Sequence, residues 1–379
     1  MWAKTLLITK PDRMNRAFFI LIISTLFYGC SKVNEKNLWE KTFGTGKAIY
    51  VKNMADSGTV SCGVLDGKKY LLVLDQEKKK ISQFKSEDDG IYTSLLIEEG
   101  AFLTGGISGS RMNLSKIGIN GDLLWDTVFT TTFDIGHTSL CNIGNGEFLA
   151  VGSASADSLT SSSTGLCFVL FNSSGDIISR DDKPEIAYIA ANDIVADNSG
   201  NLYLALTRQG TGIKQKATVA KYNNQFQKLW EKELYNNPAF GAASLGLAVD
   251  NSDNLLITGR TELQVSSGIE DNTFVIKYMP GSDSLTKKYL EYANSGSSVI
   301  QDGTGQIIIL NMRCLIINIL DQDLNVTGII RTYSSCDSQN TDTFGYSMDI
   351  TGDGDAVIAG SRGNNYYLAI KSLQELSPV

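Results

Sequence analysis

The sequence predicts an all-β fold: a seven-bladed β-propeller of four-stranded blades, closed by an N-terminal strand that completes the last blade. Three observations predict it. A short apolar strand recurs at near-regular intervals, tight-turn residues recur at fixed places around it, and a strand near the start of the chain matches one missing from the end. Composition agrees, with 36 Gly available for turns and only 5 Pro among 379 residues to interrupt strands.

The recurring strand is Thr59–Gly63 (TVSCG), Phe102–Gly106 (FLTGG), Phe148–Gly152 (FLAVG), Leu202–Leu206 (LYLAL), Leu255–Gly259 (LLITG), Ile307–Asn311 (IIILN) and Ala356–Gly360 (AVIAG). Its last residues stand 43 to 54 positions apart, a period expected of propellers and solenoids. Each unit holds four strand-like segments. The first is short and rich in small residues, as in Gly241–Val249 and Phe344–Ile350. The apolar strand is the second. A third follows a variable loop, as in Leu166–Phe171 and Phe274–Tyr278, and a fourth is clearest at Leu124–Phe129 (LWDTVF) and Leu229–Leu234 (LWEKEL). β-Branched and aromatic residues dominate these segments, and no sustained period of 3.6 competes with them after residue 30. Four-stranded units repeated seven times match a propeller, whose radial packing protects strand edges.

The seventh unit stops after its third strand, Tyr366–Ile370. Its missing partner is Leu38–Phe43 (LWEKTF), which matches the other fourth strands almost residue for residue. The expectation is that this strand completes blade seven and locks the ring.

Residues 1–29 read as a targeting segment, 30–37 as a tether and 38–379 as the propeller domain. Basic residues Lys4, Lys10, Arg13 and Arg16 precede the apolar run Ala17–Tyr28, with Met14 an alternative start. Twelve helical residues span about 18 Å, short of the roughly 30 Å hydrocarbon core, which favours a signal segment over a spanning helix. The run ends in Leu26-Phe27-Tyr28-Gly29-Cys30-Ser31 and resembles the lipobox of bacterial lipoproteins. The resemblance implies acylation at Cys30, and Ser31 in the next position implies the outer membrane or cell surface. Phe27 and Tyr28 are bulkier than that pattern usually carries, so an ordinary signal segment with a chance cysteine is the alternative.

The repeats themselves resemble those called SBBP and delta-60 repeats in bacterial secreted proteins. Val195-Ala196-Asp197-Asn198-Ser199-Gly200-Asn201-Leu202-Tyr203 and Leu247-Ala248-Val249-Asp250-Asn251-Ser252-Asp253-Asn254-Leu255 carry the likeness, with Val219-Ala220-Lys221-Tyr222 and Phe274-Val275-Ile276-Lys277-Tyr278. Units one and six are looser, with Val73 and Ile319 in place of Lys221 and Lys277. The resemblance implies the fold and says almost nothing of activity, since propellers carry many functions.

Net charge is -8, and about -11 from Cys30 onward, which argues against a nucleic-acid partner, as that needs a basic face. A single histidine excludes His-rich metal sites. The stretches Asp197–Asn201, Asp250–Asn254 and Gly352–Asp355 look like calcium loops but lack the twelve-residue frame ending in Glu, and read as hairpin turns. No cofactor or metal is expected.

Long connections, second to third strand and blade to blade, are expected on one face, the usual place for recognition. Five of the seven arginines after Cys30 fall there: Arg111, Arg208, Arg260, Arg313 and Arg362. They suit a carboxylate, sulfate or phosphate, or form rim salt bridges with Glu87, Asp88, Asp89, Asp134, Asp181, Asp182, Asp337 and Asp342. His137 opens the innermost strand of unit three and has Asp134 three residues earlier as a partner in base catalysis, or is structural. Trp39, Trp125 and Trp230 share one fourth-strand position and read as packing between blades. Of the other cysteines, Cys314 and Cys336 are placed for a disulfide, and Cys141 and Cys167 read as buried and inert.

The expected function is that of a monomeric, lipid-anchored, non-catalytic propeller that binds or scaffolds a protein or glycan ligand. No nucleophile elbow, phosphate loop or paired-carboxylate motif is present to support catalysis. The alternatives are a glycan lyase or hydrolase working at the channel mouth, and a scaffold for outer-membrane protein assembly.

Overall fold

The computed structural model describes residues 37–55, 58–154, 165–184, 188–209, 215–235, 241–265, 268–290, 295–313, 315–331 and 343–373. Cys30, Cys314, Cys336, residues 1–29 and all of the tether except Asn37 lie outside the described residues.

Blade one comprises the second half of β1 (Asn37–Asn53), β2 (Thr59–Leu65), β3 (Lys68–Leu74) and β4 (Lys80–Asp89). Blade two is β5 (Ile91–Glu98), β6 (Ala101–Ser108), β7 (Arg111–Gly118) and β8 (Leu123–Phe129). Blade three is β9 (Ile135–Gly144), β10 (Glu147–Ala154), β11 (Leu166–Asn172) and β12 (Ile177–Lys183). Blade four is β13 (Tyr188–Ala196), β14 (Leu202–Gln209), β15 (Gln215–Tyr222) and β16 (Lys228–Glu233). Blade five is β17 (Ala242–Val249), β18 (Leu255–Val265), β19 (Gly268–Met279) and β20 (Ser284–Leu290). Blade six is β21 (Gly296–Gln301), β22 (Ile307–Asn311), β23 (Ile316–Leu320) and β24 (Val326–Arg331). Blade seven is β25 (Thr343–Ile350), β26 (Ala356–Arg362), β27 (Asn365–Lys371) and the first half of β1.

β1 therefore serves two blades. Its residues 37–45 pair antiparallel with β27, with Trp39 opposite Ile370 and Lys41 opposite Leu368. Residues 46–53 pair with β2 as the innermost strand of blade one. The ring closes through the N-terminal strand, as its LWEKTF sequence predicts.

Both faces of each sheet are buried against neighbours, which is why the second and third strands are continuous apolar runs. Along β10, Leu149 and Val151 face blade four, and Phe148 and Ala150 face blade two. Seven apolar clusters result, one in each gap between successive blades, including the gap between blades seven and one. Trp125 packs edge-on against Phe171 of the next blade and donates to the Ser173 carbonyl at 3.2 Å. Trp230 stands between Tyr203 of its own blade and Tyr278 of the next. The tryptophans are interblade packing, as read from their spacing. Cys62, Cys141 and Cys167 are buried and free, and burial raises each thiol pKa far above its usual range.

One face of the ring, the long-connection face, carries the second-to-third-strand and interblade connections, although after β2, β6 and β26 these are two-residue turns and not the long loops expected. The other, the hairpin face, carries the first-to-second and third-to-fourth-strand turns. The turns share one construction. Asp197 accepts from the backbone N–H groups of Ser199 and Asn201, Asp250 from Ser252 and Asn254, Asp302 from Thr304 and Gln306, and Asp321 from Asp323 and Asn325. Asn172 and Asn223 repeat the pattern. Side-chain oxygens thus cap the turn backbone, and the calcium-like stretches are turns. Among the described residues no group of three His, Cys, Asp or Glu side chains is placed to hold a metal ion.

Three stretches expected to be loops are strand instead, Asp181 and Asp182 lying within β12. β18 and β19 continue their pairing to Val265 and Gly268, so residues 260–265 and 268–272 are paired strand. Glu87–Asp89 end β4, because Lys68 pairs with Asp89 across the ladder.

Candidate functional site

The seven innermost strands surround a central cavity of about 420 Å³. Its wall is decided by a repeated irregularity. Six inner strands carry a β-bulge opposite the end of the second strand, at Ile49, Thr93, Asn192, Leu245, Ser297 and Tyr346. A bulge sets two residues against one and turns a side chain away from the ordinary alternation. Neighbouring residues such as Ile49-Tyr50, Thr93-Ser94, Asn192-Asp193 and Tyr346-Ser347 then all line the cavity. Blade three has no bulge at this place. Its register shift falls at Gly136 instead, and the regular alternation beyond it brings His137 and Ser139 to the wall.

In blades one, two, five and seven a glycine in the second strand makes room for the bulge. A Cβ on Gly259 would stand 2.0 Å from the Ala243 carbonyl oxygen, and one on Gly360 would stand 1.9 Å from that of Phe344. Leu206 and Asn311 hold the same place in the bulged blades four and six, so the bulge there is built without a glycine in the second strand. Gly152 of blade three meets no such carbonyl, its nearest neighbour being the Met112 sulfur at 3.0 Å.

Hydrogen bonds run around the wall from blade to blade. Thr93 Oγ1 donates to the Thr138 carbonyl at 2.6 Å and accepts from the Thr138 N–H at 3.1 Å. Ser139 Oγ donates to the Asn192 carbonyl at 3.3 Å. Asn192 Nδ2 donates to the Ser244 carbonyl at 2.7 Å, and Ser297 Oγ to the Gly345 carbonyl at 2.9 Å. His137 Nε2 lies 3.1 Å from Ser139 Oγ. Desolvation by the wall lowers the His137 pKa to about 4, against a smaller raising effect from the Asn192 backbone, so the ring is neutral at pH 7.

Charge in the cavity comes from Lys52 of blade one and Asp193 of blade four. Burial raises the Asp193 pKa to about 6, opposed by the N–H groups of Leu247 and Ile194 and by Lys52; both N–H contacts are 2.9 Å. Lys52 Nζ lies 3.9 Å from Asp349 Oδ2, which accepts from the Asn53 N–H at 2.9 Å. The Tyr50 pKa is pushed up to about 12 by burial, and among the described residues its hydroxyl has no hydrogen-bond partner. Sequence reasoning missed Tyr50, Lys52, Asn192, Asp193 and Tyr346. Their signal was a polar pair inside an otherwise small and apolar first strand, clearest in YIAANDIVA.

A second depression, of about 240 Å³, adjoins the cavity on the long-connection face of blades four to six. Asn192, Leu245 and Met312 line both spaces. Arg260 and Arg313 stand in its wall, with Asp271 as the carboxylate there. Arg260 donates to Gln215 at 3.3 Å, and among the described residues Arg313 has no ion-pair partner. The structure thus brings two of the five arginines together. Arg208 pairs with Glu231, and Arg362 with Glu40 at 2.9 Å, equivalent partners in blades four and seven. Arg111 is an exposed residue opening β7. Asp134 is exposed ahead of β9, and the hydrogen-bond partner of His137 is Ser139. Asp181 and Asp182 are taken by Lys183 and Arg180 of their own strand.

The fold is shared with solved propellers at low sequence identity. The Pan2 WD40 domain of Neurospora crassa is similar with a TM-score of 0.59 at 14% identity, over 90% of this chain and 97% of that one. The WD40 propeller of Doa1 has a TM-score of 0.59 at 13% identity, over 91% and 99%. Virginiamycin B lyase from Staphylococcus aureus, solved as a catalytically inactive variant with quinupristin, has a TM-score of 0.60 at 10% identity, over 88% and 99%. No family model matches the chain, and no curated protein matches it significantly. At these identities the likeness shows a β-propeller and carries no activity across.

Proposed function

We propose that this propeller is a non-catalytic recognition platform, exported and held at the outer membrane or cell surface by acylated Cys30, that takes the anionic end of a protein or glycan ligand on its long-connection face. One observation carries the reading: Arg260 and Arg313 line a single depression that opens beside the central cavity. Guanidinium groups are the side chains best suited to hold a carboxylate or sulfate through paired hydrogen bonds. The rigid ring supports them without reorganisation, which lowers the entropic cost of binding. The net-acidic remainder of the chain rejects polyanions at large, so the anionic group must be local and the ligand small in charge.

Thermal-shift titration with acidic and neutral glycans and with carboxylate-terminated peptides tests this reading. An acidic ligand raises the melting temperature, and the Arg260→Gln/Arg313→Gln variant weakens binding about a hundredfold, roughly 1.4 kcal/mol for each charge-assisted contact. Equal binding by the double variant overturns the site. A second reading rests on His137 and Asp193, which face one cavity with pKa values of about 4 and 6, suited to proton transfer in a glycan lyase or hydrolase. Glycan turnover that is lost in both His137→Gln and Asp193→Asn favours it over the binding platform.

A further inference from the structure

We propose that the hairpin face of the ring rests on the bilayer that holds the lipid anchor, leaving the arginine-bearing face turned away from it; this rests on the acylation of Cys30 proposed above. The chain enters the propeller at Asn37, the outermost strand of blade seven, opposite Lys371. Lys371 in turn lies opposite Ala356, at the turn between the first two strands of that blade. The entry point is therefore on the hairpin face. Seven residue steps separate Cys30 from Asn37, and a fully extended chain covers at most about 25 Å over that distance. An acyl group at Cys30 in the membrane keeps this face within that reach of the lipid surface.

That same face carries most of the exposed large apolar side chains. Ten are exposed among the described residues, and eight of them are beside hairpin turns. Ile81, Leu124, Ile178 and Leu229 occupy one repeated place, the second residue of the fourth strand in blades one to four. Ile119, Leu123 and Ile177 adjoin them, and Ile97 lies at the end of β5. Val128 and Tyr289 are the two at the other ends of their strands. Leu124 and Leu229 are 55% and 52% exposed, unusually open for leucines in a strand. Single exposed apolar residues are ordinary, but a repeated set on one face forms an arc that marks an interaction surface. Aliphatic tips flanking a lipid anchor suit shallow entry into the interface, adding a second weak attachment to the acyl chains.

Charge here is balanced. Asp75, Glu77, Asp122 and Asp176 in the turns of blades one to three are matched by Lys78, Lys79, Lys80 and Lys228 beside the same side chains. With no basic excess to attract an anionic surface, apolar contact must drive the docking, and a zwitterionic surface suffices for it.

The full lipidated protein, reconstituted in phosphatidylcholine vesicles carrying nitroxide-labelled lipid, provides the test. Fluorophores are attached to single cysteines at Leu124→Cys, Ile178→Cys and, on the opposite face, Arg362→Cys. The first two are quenched severalfold more than the third, and added anionic lipid does not strengthen the effect. Equal quenching on both faces overturns the orientation while leaving the anchor intact. Mass spectrometry of the N-terminal peptide separates the two claims: an unacylated Cys30 overturns the anchor and the orientation together. A Leu124 label that is shielded in cells yet unquenched by lipid assigns the arc to a protein partner and likewise overturns the proposal.

Discussion

The seventh blade takes three strands from the C-terminal part of the chain and its fourth from the N-terminal part, whereas the third blade is drawn from one continuous run, residues 135–183. The two also differ at the channel. Blade seven bulges at Tyr346 and needs Gly360 opposite; blade three has its extra residue farther toward the strand start, at Gly136, and presents His137 and Ser139. Closure of the ring is thus a non-local matter settled by one strand pairing. The lining of the channel is a local matter settled blade by blade, through the place at which one extra residue falls.

The largest effect that tests this contrast is loss of the shared strand. Deletion of residues 37–44 removes the pairing with β27 and the packing of Trp39 and Phe43 against the blade-seven core. The expected loss is comparable to the whole stability of an ordinary domain, about 5–15 kcal/mol, read as a collapse of the thermal transition. An unchanged melting curve refutes closure by β1.

Paired glycine variants come next. Gly360→Ala drives a Cβ into a backbone carbonyl that cannot yield without moving its strand, at about 2–3 kcal/mol. Gly152→Ala presses only on side chains of Met112 and Ile135 and costs less than about 1 kcal/mol, since a thioether adapts. Denaturant unfolding of the two variants measures the difference; equal losses would mean that the bulge does not impose the glycine.

The pH dependence of stability separates the two kinds of wall. Because the folded-state pKa of His137 is lowered to about 4, its contribution is complete above the unfolded value of about 6.5 and is lost as pH falls through that range. Asp193 has the opposite sign. Its folded pKa is raised to about 6, so its contribution is complete below the unfolded value of about 3.9 and is lost as pH rises toward 6 and beyond. Between pH 6 and 4 the two oppose each other. His137→Gln leaves a protein that gains relative stability on acidification across that window, and Asp193→Asn one that loses it, by on the order of 1–2 kcal/mol each in this solvent-open channel. Melting temperatures of both variants from pH 4 to 7 check the sign.

The smallest difference concerns the tryptophans. Trp125→Phe removes the hydrogen bond to Ser173 at the edge of blade three, about 1 kcal/mol. Trp39→Phe on blade seven keeps a smaller aromatic ring against Phe43, with a loss of less than about 1 kcal/mol.

Much of the fold was legible because its signals are local and repeated. Turn residues at Asp197–Asn201 and Asp250–Asn254 cap their own backbone, so their chemistry is written within five positions. The second and third strands announce themselves as unbroken apolar runs because each blade is buried on both faces. Closure was legible through likeness, since Leu38–Phe43 repeats the pattern of Leu229–Leu234. That likeness extends to an ion pair: Glu40 and Glu231, each following the repeated tryptophan, hold Arg362 and Arg208. The same pairing explains why a face-level count of arginines overstated the site. Partners two strands away are invisible until the sheet is formed.

The sequence by itself determined the number of blades, the strand order, the turns and the closing strand, because each depends on short-range pattern and on a period of about fifty residues. Only the tertiary structure decided which side chains face the channel. A bulge shifts the alternation of a strand by one residue, and alternation is all that a linear reading has to assign a face. Asn192 and Asp193 therefore point into one cavity although they are consecutive, and Arg260 and Arg313 share one depression although 53 positions apart.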